Sequence, residues 1–292
     1  MELRWAYVPP LVALAAAHYV LAAIALRAVA GTRLPLRDTV MTQFTAAAAN
    51  RVTPSGLGGS AVNVRFLTCH GLPLRTAITA VAAMHVLGGL ADLPMVVAVS
   101  PWAGREVVGR LYGAVADPRV LTIAGAGAAV ATVVALCRRS RGGRGGRGDR
   151  WADARTGVAR LLRRPRDLVV LMVASAATTL SLGVAFALSV LAVPGAAEPA
   201  QAGVLIGAYL IGGSVSGLVP VPAGLGSTEA VLVAALATLD VAAGPAVQSV
   251  LLFRVITHWA PAPLGLFTAR RALFRSRRRD SALPGESAFT AP

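Results

Sequence analysis

From Leu168 to Val193 the chain runs without one charged side chain. A helix rises 1.5 Å per residue, so about 20 residues cross the roughly 30 Å hydrocarbon core of a bilayer. Val8 to Val29, broken only by Arg27, and Pro245 to Thr268, broken only by Arg254, are comparable runs. Composition agrees: 55% of residues are hydrophobic and 14% charged, with a mean hydropathy of +0.66, where a soluble domain carries about 25% charged residues. The chain is therefore expected to be a polytopic membrane protein. A disordered chain is excluded by the hydrophobicity, and a disulfide scaffold by cysteine count, since Cys69 and Cys137 are alone and far apart.

The net charge of +15 and pI near 11.6 would suggest nucleic acid in a soluble protein, but the location of the charge argues otherwise. Eleven arginines stand against two acids between Arg138 and Arg166, and six more follow from Arg270 to Arg279 without an acid. Both blocks abut apolar spans. Arginine in that position marks the cytoplasmic side and attracts anionic lipid heads, so no nucleic-acid partner is expected. Every basic residue is arginine, which reflects composition bias rather than chemistry. The first span lacks a small-residue cleavage site, so it is expected to be retained. Arg27, Arg33 and Arg37 put the loop near residues 30 to 38 on the cytoplasmic side and the N-terminus outside.

Two segments are apolar yet too short to cross. Val40 to Asn50 is followed by the break Arg51-Val-Thr-Pro-Ser-Gly-Leu-Gly-Gly-Ser60 and a second short stretch through Cys69. Ala202 to Val219 ends at Pro220-Val-Pro-Ala-Gly-Leu-Gly226, followed by the half-length Ala230 to Leu239. Pro54-Ser-Gly-Leu-Gly58 matches Pro222-Ala-Gly-Leu-Gly226 at four of five positions. A full span follows each break at a similar offset: about Leu74 to Val99, interrupted by Asp92 and Pro94, then Pro245 to Thr268. His85 of the first copy falls near Arg254 of the second. Leu121 to Leu136 is a further span. With the basic loop 138–166 and the C-terminus cytoplasmic, residues 40–69 become a hairpin entering from inside and 202–239 one entering from outside. The alternative is that 202–219 and 225–239 each span fully. The expected fold is all-α, a polytopic membrane helical bundle with two inverted re-entrant hairpins. Residues 1–280 form one integral membrane domain, with repeat halves at about 38–99 and 202–268 and a disordered tail at 281–292.

The candidate site follows from the charges left in apolar sequence. Glu229 and Arg254 are the two buried in the second half, and an ionisable group at membrane depth costs about 2.5–3.5 kcal/mol even on mild scales. They are expected to pair. Ser227 or Thr228 is positioned to cap the half-helix and set Glu229 beside a positive dipole end. The pair reads either as a lipid-headgroup site, with Arg254 on phosphate, or as an ion pair locking the hairpin to the last span. In the first half Asn50, Arg51, Asn63 and Asp92 are further candidates, with His258 a lone intramembrane histidine. Pro54, Gly56, Gly58, Gly59, Pro220, Pro222, Gly224 and Gly226 form the breaks. No metal spacing, Walker loop or paired carboxylate occurs in the sequence, so neither a cofactor nor catalysis is expected. Gly142 to Gly148 reads as a flexible linker, and Trp151 to Leu162 as a helix lying on the inner leaflet.

Thr53-Pro-Ser-Gly-Leu-Gly-Gly-Ser-Ala-Val-Asn-Val-Arg65, the Leu72-Pro-Leu-Arg-Thr-Ala-Ile span with Asp92, and Pro220-Val-Pro-Ala-Gly-Leu-Gly-Ser-Thr-Glu229 with Arg254 resemble the lysylphosphatidylglycerol synthase transmembrane family. This is the flippase-like membrane domain of the multiple peptide resistance factor, also found alone and fused to glycosyltransferases. The resemblance covers about residues 8 to 272. Pro222, Gly224, Gly226, Glu229 and Arg254 match its pattern, whereas Ser60 and Asn63 stand where members commonly carry an acidic residue and then an arginine. It implies translocation of an anionic or lipid-linked membrane lipid in the inner or plasma membrane. The other role it implies is a non-transporting scaffold for a lipid-modifying synthase or glycosyltransferase partner. These 292 residues hold no soluble synthase domain, so lysine transfer from charged tRNA is not expected of them.

Overall fold

The computed structural model describes residues 3–53, 57–99, 164–216 and 226–268. The expected span at 121–136, the basic block up to residue 163, the tail from 269, and the break residues Pro54, Gly56, Pro220, Pro222 and Gly224 lie outside the described residues. Among those described, the fold is all-α. Its helices are α1 (Val8–Ala30), α2 (Leu36–Val52), α3 (Leu57–Cys69), α4 (Leu74–Val99), α5 (Pro165–Leu191), α6 (Ala202–Ser216), α7 (Ser227–Ala237) and α8 (Ala243–Arg254). Helix α8 runs through a π-turn, Val255–Trp259, into residues 261–268. Among the described residues, four segments are long and apolar enough to cross a membrane: Trp5–Ala30, Leu74–Asp92, Pro165–Leu191 and Ala243–Thr268. The protein is a membrane helical bundle.

Prolines open α1 and α5 at positions whose N–H would lack a helical partner anyway, and Asp167 in the first turn of α5 meets the positive dipole end. Pro94 lies inside a continuous α4 rather than interrupting it. Helices α1 and α5 form an antiparallel pair. At one end Arg4 N–H donates to the Ala192 carbonyl (2.9 Å), and at the other Arg164 Nη1 donates to the Gly31 carbonyl (2.9 Å). Their seam is lined by small residues, including Ala25, Ala28 and Ala174, which let membrane helices approach closely where no hydrophobic force drives them together. Outward-facing Val12, Ile78, Val86, Val173, Leu251 and Leu264 are exposed, as side chains bordering lipid should be.

The two broken segments attach at opposite ends of this pair. Leu34, just before α2, and Leu67 and Leu72, around the end of α3, pack with Leu26 of α1. Both outer ends of the α2–α3 hairpin therefore sit at the Ala30 end. Leu205 of α6, Leu236 of α7 and Val241 pack instead with Leu11, Leu191 and Val193, so the α6–α7 hairpin opens at the Val8 end. Helices α3 and α7 have 13 and 11 residues, too few to cross a bilayer alone.

Candidate functional site

The first N–H groups of any helix lack intrahelical acceptors. At the start of α7 the chain turns through Gly226 at φ +85°, a region that side chains disfavour. Its N–H donates to Glu229 Oε2 (2.8 Å). The N-cap is thus Gly226, ahead of the expected Ser227 or Thr228, and a carboxylate ties the turn. Thr228 is half-buried in the first turn of α7. The other carboxylate oxygen, Glu229 Oε1, accepts from Arg254 Nε at 2.6 Å, with the side chains 23% and 8% exposed. The pairing expected from sequence is present, and Glu229 serves two partners at once.

Arg254 ends the regular part of the last span because a proline stands seven residues beyond it. Pro261 has no N–H for the Thr257 carbonyl, and its ring would crowd that same carbonyl in a normal α-turn. The helix widens instead: Ala260 N–H donates to the Val255 carbonyl at 2.8 Å across five residues. The Thr257 carbonyl takes the Tyr19 hydroxyl from α1 (3.2 Å). Single π-turns recur at functional sites because they re-aim side chains within a helix. Here the turn carries His258, whose Nε2 is buried and unpartnered.

The first hairpin reaches the same place. A Cβ on Gly265 would strike the Phe44 carbonyl and Ala48, so only glycine lets α2 lie this close to the last span. Thr45 and Thr268 share a hydroxyl bond of 2.8 Å, and Phe44 stacks on Tyr19 with centroids 4.4 Å apart. About two turns further along α2, Arg51 faces the Tyr19 hydroxyl and lies within electrostatic range of Arg254. Its Nε and Nη1 are buried without partners. His258 feels Arg254, Arg51 and Glu229 together. Four of the sequence candidates, Arg51, Glu229, Arg254 and His258, form one interior cluster that joins the two hairpins.

The remaining candidates do other things. Asn50 Oδ1 accepts from the Gly59 N–H, and Thr53 Oγ1 from the Gly58 N–H (2.9 Å), so these side chains cap α3 across the first break. Gly58 is required there because a Cβ would meet the Ala49 carbonyl, whereas one on Gly59 would displace the Asn50 carboxamide that caps it. Asn63 Oδ1 accepts from Gln43 Nε2 (3.1 Å) and ties α3 to α2. Ser60 Oγ and His85 Nε2 are 3.1 Å apart, the same 25-residue spacing as Glu229 and Arg254. Asp92 stands apart from the cluster, beside Thr179 of α5. Tyr209 of α6 lies in electrostatic range of both Asp92 and Arg254.

Tyr19, Thr179 and Tyr209 escaped the sequence reading. A hydroxyl within an apolar run barely changes hydropathy. The usable signal was the central position of Tyr19 and Thr179 in full-length spans, where a polar group needs a partner.

A family model described as the lysylphosphatidylglycerol synthase TM region matches residues 1–265. Comparison with curated proteins finds no match.

Proposed function

This chain belongs to the lysylphosphatidylglycerol synthase transmembrane family, and from that premise we propose that it carries a phospholipid or lipid-linked headgroup between the leaflets of a cell membrane. The observation that carries this reading is the meeting of Arg51 with the Glu229–Arg254 pair and His258, with two Arg51 nitrogens buried and unpartnered. Guanidinium nitrogens buried without an acceptor are costly, and a phosphate is the acceptor they suit best. The headgroup phosphate lies between Arg51 and Arg254 while the acyl tails stay in lipid. Glu229 orients Arg254 and faces any amine on the headgroup.

The α2–α3 hairpin enters from the arginine-rich cytoplasmic face and the α6–α7 hairpin from the opposite face, with their breaks meeting near the midplane, as in transporters built from inverted repeats. Chemistry on the lipid is not required. The protein acts as a transporter rather than an enzyme, and membrane lipids are its partners.

Proteoliposomes with a panel of headgroup-labelled lipids test this directly. The wild type is expected to move at least one anionic lipid between leaflets, and Arg51→Gln or the double substitution Glu229→Gln, Arg254→Ala to abolish movement. Equal transfer by the wild type and these variants would sink the proposal. In a background with Cys69 and Cys137 replaced, Ser55→Cys and Ala223→Cys should be labelled from opposite faces. Labelling of both from one face only rules out the inverted entry.

A further inference from the structure

Asp92 is a carboxylate in the interior of the bundle that the headgroup site leaves unused. Its neighbour Thr179 sits at the middle of α5, a 27-residue helix that crosses the whole bundle. This places Asp92 near mid-depth although it lies well along α4. Oδ1 is buried and has no partner. Glu229, by contrast, is tied to a cation and to a backbone N–H.

The ionisable groups around Asp92 are few. Helix α6 brings Tyr209 into electrostatic range, whereas α5 contributes the Thr179 hydroxyl and no charge. Helix α1 contributes His18, which faces the Thr178 backbone, and on α4 itself His85 is engaged by Ser60 of α3. No arginine among the described residues acts on Asp92. Tyr209 also feels Arg254, and its ring packs edge-on against Phe253, the residue before Arg254, with centroids 5.4 Å apart. Asp92 and the Arg51–Arg254 cluster are therefore electrical neighbours across one aromatic side chain.

The charges explain why this matters. Among the described residues, the two guanidiniums of the cluster (Arg51, Arg254) are offset by the Glu229 carboxylate within it and by Asp92 on the far side of Tyr209. A monoanionic headgroup adds one negative charge where the surroundings screen poorly. Resting on the headgroup reading above, we propose that Asp92 is a proton-binding site coupled to headgroup occupancy. A proton from water on the loading side forms an O–H bond on Asp92 as the anion binds, and returns to water as the anion leaves. The lipid anion and the proton then cross as a neutral pair. Because linkage is reciprocal, proton binding at Asp92 must in turn tighten anion binding.

The full-length protein in nanodiscs of zwitterionic lipid, titrated calorimetrically with a short-chain phosphatidylglycerol in two buffers of different ionisation enthalpy, gives the protons taken up per headgroup bound. The wild type is expected to take up about one, Asp92→Glu to retain the uptake, and Asp92→Asn to bind without it. Binding by the wild type with no uptake, or undiminished uptake in Asp92→Asn, which would point to His258, overturns the proposal. Absence of wild-type binding overturns the headgroup reading itself, and this inference with it. Should Asp92→Asn fail to fold, Thr179→Val serves in its place. Loss of the hydroxyl must shift the pH at which uptake occurs, and an unchanged midpoint is equally fatal.

Discussion

The two hairpins fasten to the spans that follow them at equivalent places but by different chemistry. In each, a residue in the first turns after the break reaches one 25 positions later, equally far along its span (Leu74 to His85, Ala243 to Arg254). In the second hairpin that contact is a part-buried carboxylate–guanidinium bond of 2.6 Å; in the first it is an exposed hydroxyl–imidazole bond of 3.1 Å. The breaks are also closed differently. Asn50 and Thr53, from before the first break, cap α3, and Ser60 makes the link to α4. Glu229 alone does both jobs in the second hairpin. Spreading the work over several neutral side chains leaves the first hairpin tolerant of change, whereas concentrating it in one carboxylate makes the second vulnerable.

The largest effect expected from this difference is at Arg254. Arg254→Ala strands the Glu229 carboxylate in a site where no other cation among the described residues is bonded to it. Breaking a buried pair from one side typically costs about 3–5 kcal/mol. His85→Ala removes one exposed hydrogen bond, worth about 0.5–1.5 kcal/mol. Apparent unfolding midpoints in detergent should separate the two variants widely. Equal losses would mean that the two contacts are not chemically distinct, and the comparison would collapse.

The breaks themselves give the next effects. Gly58→Ala drives a Cβ into the Ala49 carbonyl, a backbone atom that cannot swing aside. Overpacking of this kind costs about 1–3 kcal/mol and should grow from Ala to Ser to Val. At Gly226 nothing lies within 4 Å of an added Cβ, and the obstacle is the φ of +85°. Strain of about 1–3 kcal/mol is expected there, nearly the same for Ala as for Ser. A size series at Gly226 as steep as that at Gly58 would refute the assignment of space to one break and backbone conformation to the other. Asn50→Ala, which removes the cap from the Gly59 N–H, is expected to cost about 1 kcal/mol, read by the same melts.

Much of the second hairpin could be read from sequence, and much less of the first, for a physical reason. Glu229 and Arg254 stand out because charge in apolar sequence demands a partner, and the repeated proline–glycine break located them. The same repeat set His85 against Arg254, but a neutral serine and histidine raise no such demand, so their bond showed only in three dimensions. Asn50 and Asn63 looked like ligand-facing polar groups. Whether a carboxamide meets a ligand or a neighbouring backbone depends on how close α2 and α3 lie, and hydropathy does not encode that distance. The π-turn was implicit in Pro261, whose missing N–H frees the Thr257 carbonyl, yet the hydroxyl that answers it comes from Tyr19 on another helix. Long apolar runs and unpaired charges are local signals, whereas the cluster at Arg51 exists only because two hairpins converge.

The smallest effect is the most direct probe of equivalence. Ser60→Glu together with His85→Arg writes the chemistry of the second hairpin into the first. If the two contacts occupy matching geometry, the new pair must show favourable coupling in a double-mutant cycle, because each single substitution places a charge beside a neutral neighbour. The position is exposed, so the coupling should be only about 0.2–1 kcal/mol and should shrink as salt is added. A cycle in the reverse direction, Glu229→Ser with Arg254→His, is expected to show less coupling than the native pair while remaining less damaging than Arg254→Ala, since it leaves no stranded carboxylate. Zero coupling at 60 and 85 would show that the shared spacing of 25 residues does not carry a shared side-chain geometry. The resemblance between the hairpins would then stop at the backbone.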